Sequence, residues 1–97
     1  MADRRRNGRG LSGPEAIDRV RRELPELLGR PVESVLGLER DDDSGWKITV
    51  QVVELGRIPH STDVLGSYTV ELDGEGELVG YKRQRRYYRS QPDEDEQ

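Results

Sequence analysis

The 97-residue chain is long enough for one domain, and only 31% of its residues are hydrophobic whereas 37% are charged, so any core is small. It contains no cysteine, which excludes disulfides and thiolate metal sites and is typical of a reducing compartment. It shows neither a signal-peptide pattern nor an apolar run long enough for a membrane span, so we expect a cytoplasmic protein.

The net charge of −4 is distributed unevenly along the chain. Residues 1–10 carry +3, residues 82–89 carry +5 and the acidic run 93–96 carries −4, which leaves −8 for residues 11–81. A nucleic-acid-binding domain is usually basic overall, whereas this sequence describes an acidic body with basic ends. Residues 1–11 are rich in arginine and glycine without periodicity, and we expect a disordered arm there.

One amphipathic helix is predicted to begin after Ser12, because Ser12 and Glu15 form a capping-box pattern and Pro14 suits a first helical turn. The apolar residues that follow recur at spacings of three and four and predict one buried stripe: Ile17, Val20, Leu24, Leu27 and Leu28. Pro25 lacks the N–H group that a helix interior uses, so we expect a kink or a break there. Gly29 suits the C-cap of this helix.

Strand patterns follow the helix, starting with a short candidate at 34–40. Segments 45–55 and 63–72 alternate between apolar and polar residues, and 78–89 forms the last strand. The predicted core residues of the alternating strands are Trp46, Ile48, Val50, Val52, Val64, Tyr68, Val70 and Leu72. We expect Tyr68 to be the cross-strand companion of Trp46. Short turns favour antiparallel neighbours, so the fold class is α+β, with the helix packed on an antiparallel meander of three to four strands.

Two candidate sites for metal or catalysis do not meet the requirements of their chemistry. The acidic segment 41–45 resembles the start of a calcium loop, but it lacks the glycine and the closing glutamate where the loop needs them. His60 is the only histidine, and a single imidazole without cysteine cannot form a zinc site. With no glycine-rich phosphate loop either, the sequence indicates no enzyme, no metal and no cofactor.

The basic strand 82–89 admits two interpretations from its residues alone. Arginine and tyrosine are well suited to anchor interfaces, which makes it a candidate docking surface with the residues Arg83, Arg85, Arg86, Tyr87 and Arg89. Charged residues also protect exposed sheet edges against unwanted pairing. Strict alternation would put Arg83, Arg85 and Tyr87 on one face and Arg86 on the other. Neither face is apolar beyond Tyr81, so we expect this half to project beyond the core or to contain a bulge.

The stretch 45–89 resembles the gas vesicle protein O (GvpO) family over about half of the chain. The resemblance rests on an ordered set of short pieces: Gly45-Trp46, Val52-Val53-Glu54, Arg57-Ile58-Pro59, Asp63-Val64-Leu65, Tyr68, Gly76-Glu77-Leu78, Tyr81, Arg83 and Arg86-Tyr87. The resulting organisation is an arm at 1–11, a GvpO-like α+β domain at 12–89 and a disordered acidic tail at 90–97. A weaker likeness is to the PepSY domain, which also lays a helix on an antiparallel sheet and often regulates proteases.

The resemblance implies a non-enzymatic accessory protein of gas vesicle formation that acts in the cytoplasm as an assembly adaptor. Its implied partners are other gas vesicle proteins, including the shell subunit and the family's ATPase, GvpN. The alternative is a small nucleic-acid-binding or regulatory module that uses the basic strand. The acidic body and acidic tail would repel phosphate, which favours the adaptor.

Overall fold

The computed structural model describes residues 11–41 and 45–90, which form one helix and one four-stranded antiparallel sheet. The elements are α1 (Gly13–Leu28), β1 (Val32–Arg40), β2 (Trp46–Leu55), a 3-10 turn (His60–Thr62), β3 (Val64–Leu72) and β4 (Leu78–Tyr88). The strand order β1-β2-β3-β4 is a meander, and the predicted α+β class is confirmed. The arm and the tail fall outside the described residues except for Leu11 and Ser90, and so does the middle of the acidic segment 41–45.

The helix α1 begins and ends where its sequence signals stand. The Ser12 backbone N–H donates to Glu15 Oε1 at 2.9 Å, and the Glu15 N–H donates to Ser12 Oγ at 3.2 Å. Gly29 adopts the left-handed region (φ 76°) at the C-cap, where its N–H donates to the Pro25 carbonyl. Of the predicted kink or break at Pro25, the break is absent, because the helix continues to Leu28 with Pro25 in its last turn.

The buried stripe of α1 is narrower than its apolar spacing predicts. The fully buried positions of the helix are Ala16, Val20 and Leu24. Ile17 and Leu28 are only partly buried and Leu27 is exposed. A single helix contacts the sheet along one narrow line, so residues at the sides of its apolar arc remain in contact with solvent.

The core lies between α1 and one face of the sheet. Its sheet residues are Val32, Trp46, Ile48, Val50, Val52, Tyr68, Val70 and Leu72. The Trp46 indole N–H donates to the Leu11 carbonyl at 2.8 Å, which ties the start of the described chain to the sheet. Trp46 pairs with Leu72 across the strands, and Tyr68 pairs with Val50, so the expected Trp46–Tyr68 pair is wrong. The β2–β3 register, which alternation along one strand cannot specify, decides this pairing.

A bulge changes which side chains share a face of β4. Arg85 pairs with Ser67 and Arg83 pairs with Tyr68, so Gln84 is an extra residue in β4. Arg83 and Arg86 therefore both lie on the face that carries Tyr68, although strict alternation places them on opposite faces. The bulge expected in this strand is present, and the strict alternation of its side chains is not.

Candidate functional site: a buried carboxylate bound by two arginines

Glu54 lies near the end of β2, and its side chain is only 5% exposed. Tyr68 Oη donates to Glu54 Oε2 at 2.7 Å. Arg83 Nε donates to the same oxygen at 3.1 Å, and Arg86 Nε donates to Oε1 at 2.9 Å. We call these four residues the Glu54 cluster. A buried carboxylate is tolerated when hydrogen-bond donors satisfy its oxygens, as two charged arginines and one tyrosine hydroxyl do here.

Gly66 makes this cluster possible, because β3 separates β2 from β4. Gly66 stands between Val52 on one neighbouring strand and Arg86 on the other. A Cβ atom at Gly66 would lie 2.8 Å from Cδ of Glu54 and closer still to its Oε2. Only a glycine leaves the room in which the carboxylate of one strand reaches guanidinium groups two strands away.

The ionisation of the cluster follows from these contacts. Burial opposes the charge of Glu54, but the hydrogen bonds from Tyr68 and Arg86 and the charges of Arg83 and Arg86 outweigh it, so the Glu54 pKa lies below its ordinary value. Burial and the hydrogen bond to Glu54 raise the pKa of Tyr68 above its ordinary value. At neutral pH the cluster therefore contains an anionic Glu54, a neutral Tyr68 and two cationic arginines.

A second buried carboxylate, Asp63, organises the end of β4. It accepts hydrogen bonds from the Arg57 backbone N–H at 2.8 Å and from Arg89 Nε at 3.1 Å. The backbone hydrogen bond from Arg57 is the largest of the contributions that lower the pKa of Asp63, and Arg89 adds to it against the effect of burial. Arg89 Nη1 also contacts Glu33 Oε2 at 2.8 Å, so Arg89 joins β1 to the loop before β3.

The structure divides the predicted docking residues between three places. Arg83 and Arg86 lie on the face of α1 and bind Glu54, and Arg89 binds Asp63 and Glu33 beyond the end of β4. On the opposite face, the Arg85 guanidinium lies 5.2 Å from the ring centroid of Tyr87. The Tyr87 hydroxyl donates to Gln51 at 2.6 Å on that face. The five candidates therefore do not form one continuous surface.

Sequence analysis assigned no role to Glu54 or Asp63, although Glu54 had a detectable signal. It continues the core-facing alternation of β2 directly after Val52, where an apolar residue is expected. An acidic residue in a core position requires cationic partners, and the nearby basic strand supplies them. Asp63 is the first residue of the predicted segment 63–72 and lies just before β3 in the structure. A polar residue at the end of a strand pattern is ordinary, so no comparable signal marks it.

The described residues contain no candidate metal centre. Within residues 11–41 and 45–90, no group of three or more His, Asp and Glu side chains could hold a metal ion. His60 is exposed, with Nδ1 3.6 Å from Asp63 Oδ2, and has no nucleophile bound to it among these residues. No helix in the described part is long and apolar enough to cross a membrane.

The fold and the site define a small α+β domain whose open sheet carries ion pairs at one end. The family model described as gas vesicle synthesis protein GvpO matches residues 1–93, and the chain belongs to this family. Gas vesicle protein O of Streptomyces sp. is 51% identical over 71 residues, covering 73% of this chain and 55% of that protein. The family resemblance found in the sequence is thereby confirmed.

Two archaeal proteins show the same relationship at greater distance. Gas vesicle protein O1 of Halobacterium salinarum is 36% identical over 76% of this chain and 61% of its own length. Gas vesicle protein O of Haloferax mediterranei is 35% identical over 82% of this chain and 56% of its own length. The matched region thus spans little more than half the length of these curated relatives. No solved structure matches the chain at a significant level.

Proposed function

We propose that this protein is a non-enzymatic accessory protein of gas vesicle formation, and that it acts as an assembly adaptor for other gas vesicle proteins. Membership of the GvpO family is the observation that carries this proposal. Its relatives are named gas vesicle protein O in a bacterium and in two archaea. We place its action in the cytoplasm, in association with the growing vesicle.

The proposed partners are the shell subunit and the GvpN-type ATPase. An adaptor needs an accessible surface, and β4 offers one because it is an edge strand of an open sheet and most of its side chains are exposed. We propose that β4 docks on partners with the face that carries Arg83 and Arg86, while Arg85 and Tyr87 contribute from the other face. Arg89 supports this surface from its ion pairs with Asp63 and Glu33.

The pairing of the basic strand argues against the nucleic-acid alternative. Three of its five cations, Arg83, Arg86 and Arg89, bind carboxylates of the same domain. Phosphate binding depends on cations that are free to replace the counterions of the nucleic acid. We therefore expect no nucleic-acid partner.

Complementation in a host that forms gas vesicles tests this proposal. The host's own protein of this family is removed, the present chain is supplied, and vesicles are measured by the loss of light scattering when pressure collapses them. We expect vesicles to return and the other gas vesicle proteins to co-purify with the chain. Normal vesicle formation without any protein of this family would overturn the proposal.

The choice of variants for this test depends on the Glu54 cluster. Reversing Arg83 and Arg86 to glutamate would put two more carboxylates beside a buried one and destabilise the fold. Loss of partner binding could then not be distinguished from loss of stability. Arg85→Glu avoids this problem, because Arg85 lies on the other face and contacts only the Tyr87 ring among the described residues. We expect it to weaken co-purification without changing the thermal unfolding of the domain.

A further inference from the structure

A depression at the end of the sheet joins the Glu54 cluster to exposed apolar side chains. It has a volume of about 520 Å³ and is lined by Glu54, Leu55, Arg57, Val64, Arg86, Tyr87 and Tyr88. Leu55 and Tyr88 are both half exposed there. Apolar groups this exposed and this close together in a small domain commonly mark a contact with another molecule.

The charge of this region is positive although Glu54 lies within it. Arg57 and Arg86 line the depression and Arg83 contacts Glu54 beside it, so these four side chains together carry a charge of +2. Arg83 and Arg86 contact Glu54 through Nε, and their side chains remain 45% and 57% exposed. Arg86 makes no hydrogen bond from its Nη groups to the residues of 11–41 and 45–90. Glu54 thus fixes the guanidinium group of Arg86 while leaving donors suited to a second carboxylate.

We propose that this depression binds an acidic, amphipathic segment of a partner protein, with a carboxylate on Arg86 and Arg57 and an adjacent apolar side chain on Leu55 and Tyr88. The inference rests on the proposed adaptor function and names the chemistry of the partner. Charge complementarity selects this occupant. A second copy of the chain would bring the same cations together, and a phosphate group would leave the apolar part of the depression unused.

Binding of designed peptides to the purified chain tests the site without any gas vesicle protein. The probe is a short helical peptide of leucine and glutamate, compared with the same peptide carrying glutamine for glutamate, with hexaglutamate and with inorganic phosphate. We expect the leucine–glutamate peptide to bind most tightly and to shift the Arg86 Nε–H signal in NMR spectra. Equal binding of the glutamine peptide, of hexaglutamate or of phosphate would overturn the proposed chemistry.

Matched variants distinguish binding at this site from effects of the net charge and from non-specific apolar binding elsewhere on the chain. Arg86→Gln should weaken the peptide about fivefold, whereas Lys82→Gln, with the same charge change on the opposite face of β4, should change affinity less than about twofold. Leu55→Ser should weaken it about threefold. Leu36→Ser is its matched control, because Leu36 is 52% exposed and Leu55 is 51% exposed. Leu36 lies on β1 at the other edge of the sheet, so its replacement should have little effect. Equal effects within either pair would contradict the site.

The two proposals fail in different ways. If the wild-type chain binds the peptide but does not restore vesicles, the adaptor function fails and the site stands. If the chain restores vesicles while Arg86→Gln and Lys82→Gln bind the peptide equally, the site fails and the function stands. Sedimentation with and without peptide adds a further check, because dimer formation by the free chain through Arg86 would assign the depression to a second copy instead.

Discussion

The Tyr68 hydroxyl on β3 donates a 2.7 Å hydrogen bond to the buried carboxylate of Glu54 on the neighbouring strand β2. Tyr68→Phe removes this donor but leaves both arginines on the carboxylate. Loss of one hydrogen bond to a buried charge should lower the free energy of unfolding by about 1–3 kcal/mol. Chemical denaturation measures it, and Tyr81→Phe serves as the control because the Tyr81 ring lies on the same face but is exposed. Equal losses in the two variants would show that the hydroxyl of Tyr68 does not stabilise the cluster.

The depressed pKa of Glu54 predicts an acid-dependent loss of stability. A carboxyl whose pKa is lower in the folded chain than in the unfolded chain stabilises the fold above its ordinary pKa, and this contribution is lost as pH falls through the folded value. For Glu54 the loss begins as pH falls to about 4.5, and Asp63 adds to it from about 3.8 downward. Glu54→Gln should therefore be less stable than the wild type at pH 7 but lose less on acidification. Thermal unfolding between pH 7 and pH 3 tests this, and a constant difference between the proteins would contradict it.

Gly66 is predicted to be intolerant of any side chain. Gly66→Ala places a methyl group against the Glu54 carboxylate, so the ion pairs with Arg83 and Arg86 must break or the strands must move. Overpacking of this kind should cost about 1–3 kcal/mol. Gly80→Ala is the control, since a Cβ at Gly80 would meet no atom within 4 Å in the neighbouring strand β4. Denaturant midpoints compare the two, and similar midpoints would show that Glu54 does not need this space.

Two leucines of α1 test the finding that the buried stripe is narrower than the apolar pattern of the helix. Leu24 is fully buried and Leu27 is exposed, although both belong to the predicted stripe. Leu24→Ala should cost about 2–5 kcal/mol because it leaves a cavity under the helix, and Leu27→Ala should cost less than about 1 kcal/mol. Urea denaturation of both variants decides the matter. A larger loss for Leu27 would place the helix in a different rotation on the sheet.

Trp46 is predicted to be one of the largest single contributors to the stability of the domain. Its ring is buried beneath the start of α1, and the Arg40 guanidinium lies 4.2 Å from its centroid. Trp46→Ala should cost about 3–5 kcal/mol, a large part of the stability of so small a domain. Trp46→Phe keeps most of the apolar contact, so its free energy of unfolding should fall by less than half as much as that of Trp46→Ala. A negligible loss in the alanine variant would contradict the burial of this ring.

The sequence alone determined the elements of the fold and the family. The capping box at Ser12, the alternation from Trp46 to Val52 and the short turns are local patterns, and local patterns specify helices, strands and antiparallel neighbours. The ordered motif between Gly45 and Tyr87 was sufficient for the GvpO resemblance. Alternation also contained the position of Glu54, as an acid in a core-facing register.

The tertiary structure decided which of these residues meet. The bulge at Gln84 turns Arg83 and Arg86 to one face, and no feature of the strand itself fixes where an extra residue falls. The missing side chain of Gly66 matters only once β3 lies between Glu54 and the arginines. Such contacts depend on the register between strands distant in sequence, so a basic strand that looks uniform becomes two bound arginines on one face and an arginine stacked on a tyrosine on the other.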